Sequence, residues 1–197
     1  TELFTSNVGG APLLQFEDFN SNDAFPLLQQ YREKYLTYND DIQGTASVAV
    51  AALLGALRIG ASGGGKGGGD SPSLIEELKK HTFLFHGAGS ANVGAAALLV
   101  NEAGVPKSQV YMTNSRGVIW QANDGHSGSY RNDEQKQFAQ VGKPTGYDPT
   151  DLVSTIKYLR PTVLCGAVGR APNCFTKDVI EALVSAQGGE TRPIGFA

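Results

Sequence analysis

Four carboxylates stand at two junctions of the chain and have the chemistry to hold one divalent cation. Glu17 and Asp18 follow a short apolar stretch, and Asp40 and Asp41 come directly before a long alanine-rich stretch. Carboxylate oxygens are suitable ligands for hard cations such as Mg²⁺ or Mn²⁺. The alternative is that Asp40 or Asp41 caps the helix that follows, where an acid accepts free amides, and that Glu17 is a solvated acid.

A second pattern, HGAGSANVG at His86–Gly94, is expected between a strand and a helix. In that context Gly87 permits a tight turn, Gly89 lets the backbone approach a pyrophosphate, and the start of the helix favours negative charge. The spacing is unusual, because the next glycine is Gly94 rather than a residue three positions after Gly89. Small residues also serve close packing of a helix on a sheet, so both interpretations stay open.

The residue that reads the ribose of a dinucleotide is expected at the end of the next strand, where Asn114 stands. An acid there would bind both ribose hydroxyls, whereas asparagine keeps an acceptor but carries no charge. Ser115 and Arg116 follow, and Arg116 could pair with a 2′-phosphate. The alternative is an ordinary polar turn that closes the strand. On the first interpretation we expect no strong preference for NAD.

The elements that position these residues alternate between strand and helix after residue 72. Continuous apolar strands separated by helices predict a parallel sheet covered on both faces, with the ligand site beyond the carboxyl ends of the strands. We therefore predict an α/β fold with a Rossmann-like, doubly wound parallel sheet. Strands are predicted at 82–86, 109–113, 162–165 and 193–196, and helices at 91–103, 151–159 and 176–186.

A helical lead-in is predicted ahead of this domain, with a strand at 12–16 and helices at 23–35 and 42–58. The second helix is apolar on most faces, so we expect it to be buried. The chain then divides into a metal-site segment with lead-in helices at 1–58, a glycine-rich flexible loop at 59–72, and an NAD(P)-binding domain at 73–197 that is incomplete at its carboxyl end. The polar region 121–148 is expected to be a long surface excursion.

Composition narrows the function classes. The 197 residues are 41% hydrophobic and 18% charged, and a charged fraction below the usual one of about 25% suggests that more protein covers part of the surface. The net charge of −3, without a dense basic cluster, argues against nucleic acid as a partner. Cys165 and Cys174 are expected to be reduced thiols. The sequence has no uninterrupted apolar run long enough to cross a membrane and no signal-peptide pattern at its start. We therefore expect an intracellular, non-secreted protein, in the cytoplasm or an organelle.

These motifs together resemble malic enzymes. LLQFEDF, YREKYLTYNDDIQGTASVAVAALL, FLFHGAGSANVGAAALLV, RPTVLCGAVGRAPNCFTKDVIEAL and RPIGFA occur in the order and at the approximate spacing of that family, and the resemblance runs over nearly the whole chain. Malic enzymes convert malate to pyruvate and carbon dioxide with NAD or NADP and a divalent metal ion, Mg²⁺ or Mn²⁺.

The resemblance implies roles for individual residues. The metal ligands would be Glu17, Asp18 and Asp41, with Asp40 as a neighbouring acid of the catalytic site. The pyrophosphate of the cofactor would bind at a loop that contains Gly87, Gly89, Ser90 and Ala91. The ribose would bind near Asn114 and Ser115. A serine at position 115 resembles the branch of the family that uses NADP. Asn114 stands at the position of the acid that binds the ribose in the family.

The departures from the family pattern suggest two functions. Malic enzymes are more than twice as long, and their catalytic tyrosine and lysine have no match here. The resemblance therefore implies a fragment of a larger two-domain fold, which we expect to be inactive on malate as an isolated chain. The alternative is a non-catalytic structural or docking subunit of a larger assembly. In either case, other protein chains are expected as partners, in a homo-oligomer or a larger assembly.

Overall fold

The computed structural model describes residues 12–62, 73–169, 173–189 and 192–196. In chain order the strands are β1 (Leu14–Phe16), β2 (Thr37–Asn39), β3 (Phe83–His86), β4 (Val110–Asn114), β5 (Gly117–Val118), β6 (Trp120–Gln121), β7 (Gln140–Val141), β8 (Val163–Gly166) and β9 (Ile194–Phe196). The helices are α1 (Ser21–Tyr31), α2 (Thr45–Ser62), α3 (Leu74–Leu78), α4 (Ser90–Asn101), α5 (Asp133–Lys136), α6 (Leu152–Leu159) and α7 (Lys177–Ser185). A π-helical turn, Asp40–Gly44, precedes α2, and a 3₁₀ turn, Lys107–Gln109, precedes β4.

The central sheet has the strand order β5–β4–β3–β8–β9. Strands β4, β3, β8 and β9 are parallel to one another, and β5 runs antiparallel at the edge. From β3 the chain moves to β4 on one side and later returns to β8 on the other side. This reversal is the topological switch point at which doubly wound folds form their ligand crevice. The predicted parallel α/β fold is confirmed.

Alternating residues of the strands fill two cores on opposite faces of the sheet. Phe83 and Phe85 are buried in one core together with residues of α2 and α4, such as Leu53 and Val93. Leu84, between the two phenylalanines, is buried in the other core among residues of α6 and α7. Because successive side chains of a strand point to opposite faces, this period-two pattern requires helices on both sides of the sheet.

Strands β1 and β2 form a separate two-stranded parallel sheet, with Phe16 opposite Asn39. The ring of Phe16 contacts Phe19 and Tyr31 edge to face, at centroid distances of 5.8 Å and 6.3 Å. These contacts join β1 to α1. Strand β2 is not evident from the sequence, because Thr37–Asn39 has neither an apolar alternation nor an apolar run.

Helix α2 is buried on one face only within the described part of the chain. Ala46, Leu53 and Leu57 are buried, whereas Val48 is 70% exposed and Ile59 is 76% exposed. The expectation that this helix is buried on most faces is therefore wrong for the described residues. The segment Asp40–Ile59 is also long and apolar enough to cross a membrane by length and composition alone, but core helices share these properties, and α2 packs in the core with α4.

Several boundaries differ from the predicted ones for local reasons. Helix α1 begins at Ser21 because the side chain of Asn20 accepts hydrogen bonds from the first-turn amides of Asn22 and Asp23. Helix α2 continues to Ser62, so the first residues of the predicted loop at 59–72 are helical, and its residues 63–72 lie outside the described ones. The region 121–148 is more than a surface excursion, since it contains β7 and α5 and buries Phe138.

Helix α4 approaches the π-helical turn very closely, and the approach depends on Gly94. A Cβ atom at this position would lie 2.3 Å from the backbone oxygen of Ile42. Gly55 in α2 is a matched control, because a Cβ atom there would meet nothing within 4 Å.

We predict that Gly94→Ala lowers the free energy of unfolding by about 1–3 kcal/mol, since backbone atoms would have to shift to admit the methyl group. Gly55→Ala should raise it by up to about 1 kcal/mol, because alanine is the better helix former. Urea unfolding followed by circular dichroism measures both changes. Equal effects of the two substitutions would show that the close approach is not required.

Candidate functional site

The chain leaves its strand conformation where the first pair of acids stands. Strand β1 ends at Phe16, and Asp18 has a left-handed backbone with φ of 60°. Adjacent residues of a strand point to opposite faces, so this turn is what allows Glu17 and Asp18 to face the same point. One carboxylate oxygen each from Glu17, Asp18 and Asp41 lies within 4.8 Å of the other two. The convergence predicted for these three acids is confirmed.

The second pair of acids is held by hydrogen bonds around the π-helical turn. Asn39 is fully buried, and its side-chain oxygen accepts a hydrogen bond of 2.9 Å from the amide of Ile42. Asn39 is therefore the cap, and the alternative in which Asp40 or Asp41 caps the helix is wrong. The carboxylate of Asp41 instead accepts a hydrogen bond of 2.9 Å from the backbone amide of Asp18. This bond ties the two junctions together.

Asp40 is placed differently from the three converging acids. Its carboxylate covers Gly44, where a Cβ atom would lie 2.0 Å from Oδ1 of Asp40. A side chain at residue 44 would therefore displace Asp40. The structure leaves Asp40 next to the acid cluster in sequence but does not include it in the group of carboxylates that meet.

The donor set fits a hard divalent cation. Metal–oxygen distances of about 2.0–2.6 Å allow two ligand oxygens of one ion to be up to about 4–5 Å apart, so three oxygens within 4.8 Å of one another can reach the same ion. Glu17 and Asp18 are exposed and Asp41 is half-buried, so the cluster is open to solvent on one side. That side leaves room for water or substrate oxygens to complete the coordination.

A cleft of about 940 Å³ opens at the carboxyl ends of β3, β4 and β8. Its walls include the glycine loop, the start of α1, the end of β4 and the segment before α5. Residues of these four parts that line it are His86, Gly87, Ala88, Gly89, Asn20, Ser21, Asn22, Thr113, Asn114, Ser115, Arg131 and Asn132. The cleft therefore lies at the switch point of the sheet, as the fold predicts.

The first half of the glycine loop is fixed by hydrogen bonds and by steric limits. Gly87 has φ of 102°, and a Cβ atom there would lie 2.3 Å from the backbone oxygen of Ala167. The side-chain amide of Asn92, which is 5% exposed, donates to the backbone oxygens of His86 at 3.0 Å and Gly87 at 2.9 Å. The motif spacing alone does not identify Asn92 as the residue that holds the loop.

Gly89 differs from Gly87 and Gly94, because the described residues leave room for a side chain there. A Cβ atom at Gly89 would have one neighbour within 4 Å, the hydroxyl of Ser21 at 3.8 Å, among the described residues. Gly89 is the N-cap residue of α4 and provides no side-chain cap for the first amides of the helix. Ser90 and Ala91 form the first turn. The open space leaves room for an anionic ligand, and the uncapped amides could donate hydrogen bonds to it.

His86 lies at the end of β3 and lines the cleft. Burial lowers the pKa of its imidazole below the usual value of 6.5, so the ring is neutral at pH 7. Nδ1 lies 3.0 Å from the hydroxyl of Thr113, which also accepts a hydrogen bond of 3.3 Å from the amide of Gly87. A small polar network therefore joins the ends of β3 and β4 under the loop.

Asn114 also lines the cleft, but its side chain bonds mainly to the protein. Its Nδ2 group donates to the backbone oxygen of Ser129 at 2.8 Å and to the side chain of Gln135 at 3.0 Å. Its Oδ1 atom accepts from the amide of Arg116 at 2.8 Å. This last bond forms the polar turn that was the alternative to ribose binding.

Gln135 connects three parts of the cleft wall and is not identified by any motif. It is 6% exposed, and its side-chain oxygen accepts from Asn114 and, at 3.1 Å, from the amide of Arg131. Its side-chain nitrogen donates to the backbone oxygen of Ala88 at 3.1 Å. One buried amide thus joins the glycine loop, the end of β4 and the segment before α5.

The fold and the cleft define a doubly wound, Rossmann-type α/β domain with an anion-compatible crevice at its switch point. A sequence profile described as malic enzyme, NAD binding domain, matches residues 42–197. The chain belongs to the malic enzyme family.

Individual relatives agree with this assignment, and a solved structure agrees with the fold. The mitochondrial NADP-dependent malic enzyme of Homo sapiens is 38% identical over 203 residues, which cover 100% of this chain and 29% of the human protein. The chloroplastic NADP-dependent enzyme of Solanum lycopersicum is 35% identical over 97% of this chain and 30% of its own length. The malic enzyme of Entamoeba histolytica superposes with a TM-score of 0.67 at 22% identity, over 93% of this chain and 33% of its own. The chain thus spans about a third of the length of these proteins.

We predict that Gln135→Leu lowers the free energy of unfolding by about 1–3 kcal/mol, because its buried partners lose hydrogen bonds. Gln137 is a control on the same segment, since its side chain is exposed and bonds to the nearby backbone oxygen of Glu134. Gln137→Leu should change the free energy by no more than about 0.5 kcal/mol. Urea unfolding at pH 7 measures both, and equal losses would contradict the connecting role of Gln135.

Proposed function

We propose that this chain provides the metal-binding and dinucleotide-binding parts of an NAD(P)-dependent malic enzyme. The activity of the whole protein would be the oxidative decarboxylation of malate to pyruvate and carbon dioxide. The observation that carries the proposal is the juxtaposition of two sites. The acids at residues 17 and 18 stand four and three residues before Ser21, the first residue of α1. The hydroxyl of Ser21 lies 3.5 Å from the hydroxyl of Ser90 in α4.

The dinucleotide site would be the cleft at the switch point. Gly87 and Gly89 would let the pyrophosphate approach the backbone, and the amides of the first turn of α4, at Ser90 and Ala91, would donate to it. Asn92, Thr113 and Gln135 hold this loop in place without needing to touch the ligand. The absence of a packing requirement at Gly89 supports ligand binding over simple helix packing.

The metal site would be the cluster of Glu17, Asp18 and Asp41. Together, a bound divalent cation and a bound NAD(P)⁺ would supply charge stabilisation at the oxygens of malate and a hydride acceptor. The role of this chain is to place the two groups side by side. Asp40 would act as the neighbouring acid of the catalytic site. Its carboxylate lies over Gly44, beside the cluster.

The names of the relatives bear on compartment and cofactor. The relatives from Homo sapiens and Solanum lycopersicum are named as mitochondrial and chloroplastic, and both are named as NADP-dependent. We propose an intracellular location, in the cytoplasm or an organelle, and NADP or NAD as the cofactor.

A second candidate function is a non-catalytic docking subunit. It is favoured by the apolar face of α2, where Val48 and Ile59 are largely exposed in the described structure and fit a covering protein surface. A docking subunit needs neither a cation nor a dinucleotide, so failure of both binding experiments below would favour it.

Gly89→Ala separates ligand binding from packing. We predict that it changes the free energy of unfolding by less than about 1 kcal/mol, because the methyl group meets no close protein atom. Binding of NADP⁺ should weaken by at least about tenfold, because the methyl group occupies the path of the pyrophosphate. Isothermal titration calorimetry and urea unfolding of the purified protein measure the two effects. Unchanged binding of NADP⁺ would contradict the proposed cleft.

The acid cluster is tested by titration with Mn²⁺, followed by the relaxation of water protons. We predict binding with a Kd of about 1 mM or lower and a loss of at least about tenfold in Asp41→Asn, because one of three negative ligands is neutralised. Glu102→Gln removes an exposed carboxylate outside the cluster and should bind Mn²⁺ like the unaltered protein. Equal affinity of Asp41→Asn and Glu102→Gln would refute the metal site.

A further inference from the structure

We propose that Arg131 binds the 2′-phosphate of NADP at the rim of the cleft and thereby makes the chain select NADP over NAD. This inference rests on the proposed dinucleotide function. The sequence alone favours Arg116 for such a role, because Arg116 follows the ribose position directly. Nothing in the spacing of motifs indicates Arg131, which lies 16 residues after Ser115 and comes to it only through the fold.

The guanidinium group of Arg131 lies at the end of β4. Its Nη2 atom donates a hydrogen bond to the hydroxyl of Ser115, and both residues line the cleft. The end of the strand after the glycine loop is where doubly wound folds contact the adenosine ribose. Arg131 and Ser115 therefore form a pair of phosphate-compatible groups at the position of the 2′ substituent.

The backbone beneath Arg131 is anchored to the glycine loop. The amide of Arg131 donates to the buried side chain of Gln135 at 3.1 Å, and Gln135 donates at 3.1 Å to the backbone oxygen of Ala88. The backbone of Arg131 is thus held relative to the loop by two hydrogen bonds through one side chain. The hydrogen bond from the guanidinium to Ser115 restrains the side chain as well, and such pre-organisation reduces the cost of ordering a long arginine side chain on binding.

The charge of the cleft favours a phosphate over a pair of hydroxyls. Among the described residues that line the cleft, Arg131 is the only one with a full charge at pH 7, since His86 is neutral. Asn114 stands where a carboxylate would bind ribose hydroxyls and repel a 2′-phosphate, and its amide bonds to the protein. An arginine fork bonds well to phosphate oxygens.

Arg116 is placed outside the cleft. It is not among the residues that line the cleft, and its backbone amide is part of the turn closed by Asn114. The structure therefore supports Arg131 rather than Arg116 as the phosphate ligand, with the hydroxyl of Ser115 available to donate to the same phosphate.

The experiment compares ligands with and without the 2′-phosphate. Calorimetric titrations with NADP⁺, NAD⁺, adenosine 2′,5′-bisphosphate and 5′-AMP are carried out on the unaltered protein, Arg131→Gln, Arg116→Gln and Lys143→Gln. Lys143 is a control, because it is exposed and does not line the cleft. Urea unfolding of each variant checks that the fold is unchanged.

We expect Arg131→Gln to weaken binding of NADP⁺ and of the bisphosphate by about tenfold, while the affinities for NAD⁺ and 5′-AMP change by less than about twofold. Arg116→Gln and Lys143→Gln should leave the ratio of NADP⁺ to NAD⁺ affinity unchanged.

Two results overturn the inference while leaving the proposed function intact. One is an equal change in NADP⁺ and NAD⁺ affinity in Arg131→Gln, including no change in either. The other is a selective loss of NADP⁺ affinity in Arg116→Gln in place of Arg131→Gln. If the unaltered protein binds neither dinucleotide, the proposed function fails together with the inference.

Discussion

The close contact between helix α4 and the π-helical turn sets the geometry of the whole site. Gly94 lets the helix backbone approach the backbone oxygen of Ile42, and Ile42 directly follows Asp41. The same helix begins at the glycine loop. One rigid element therefore contacts the segment that carries the acids at one point and opens the cleft at another. If this contact were wider, the acid cluster and the glycine loop could not be held at a fixed separation.

The three glycines of one motif are glycines for different physical reasons. They illustrate what a sequence pattern can and cannot predict. Gly87 needs its positive φ and its room beside Ala167, and Gly94 needs room beside Ile42. Gly89 has neither need within the described protein, and this is the position at which the proposed ligand would approach the backbone. The sequence predicts that glycines are required in this loop, but it does not separate backbone strain, packing and ligand contact. Only the surrounding atoms make that distinction.

The main sheet could be predicted because β3, β4 and β8 are apolar runs, and burial on both faces explains such runs. Convergence of the acids could be predicted from a family motif. The connections of Gln135 could not, because they include a hydrogen bond to Ala88, 47 residues away, and no local period encodes that contact. The cap at Asn39 is a local bond to Ile42, but Asp40 and Asp41 are also capping residue types, so the sequence does not choose among the three. The exposure of Val48 and Ile59 in α2 could not be predicted either, since apolar composition does not reveal which face has a partner.

The small sheet of β1 and β2 gives the acid cluster its own local stability. Two strands of three residues each, held by a few ring contacts of Phe16, are a weak cooperative unit compared with the five-stranded sheet. Amide hydrogens of this unit should therefore exchange with solvent through local opening, long before the amides of β3 and β8 do. Each opening would move Asp18 away from Asp41 and separate the carboxylates of the cluster without unfolding the domain. At the proposed metal site, the affinity for a cation would include the free energy of closing this unit, and a bound cation would in turn slow the exchange of its amides.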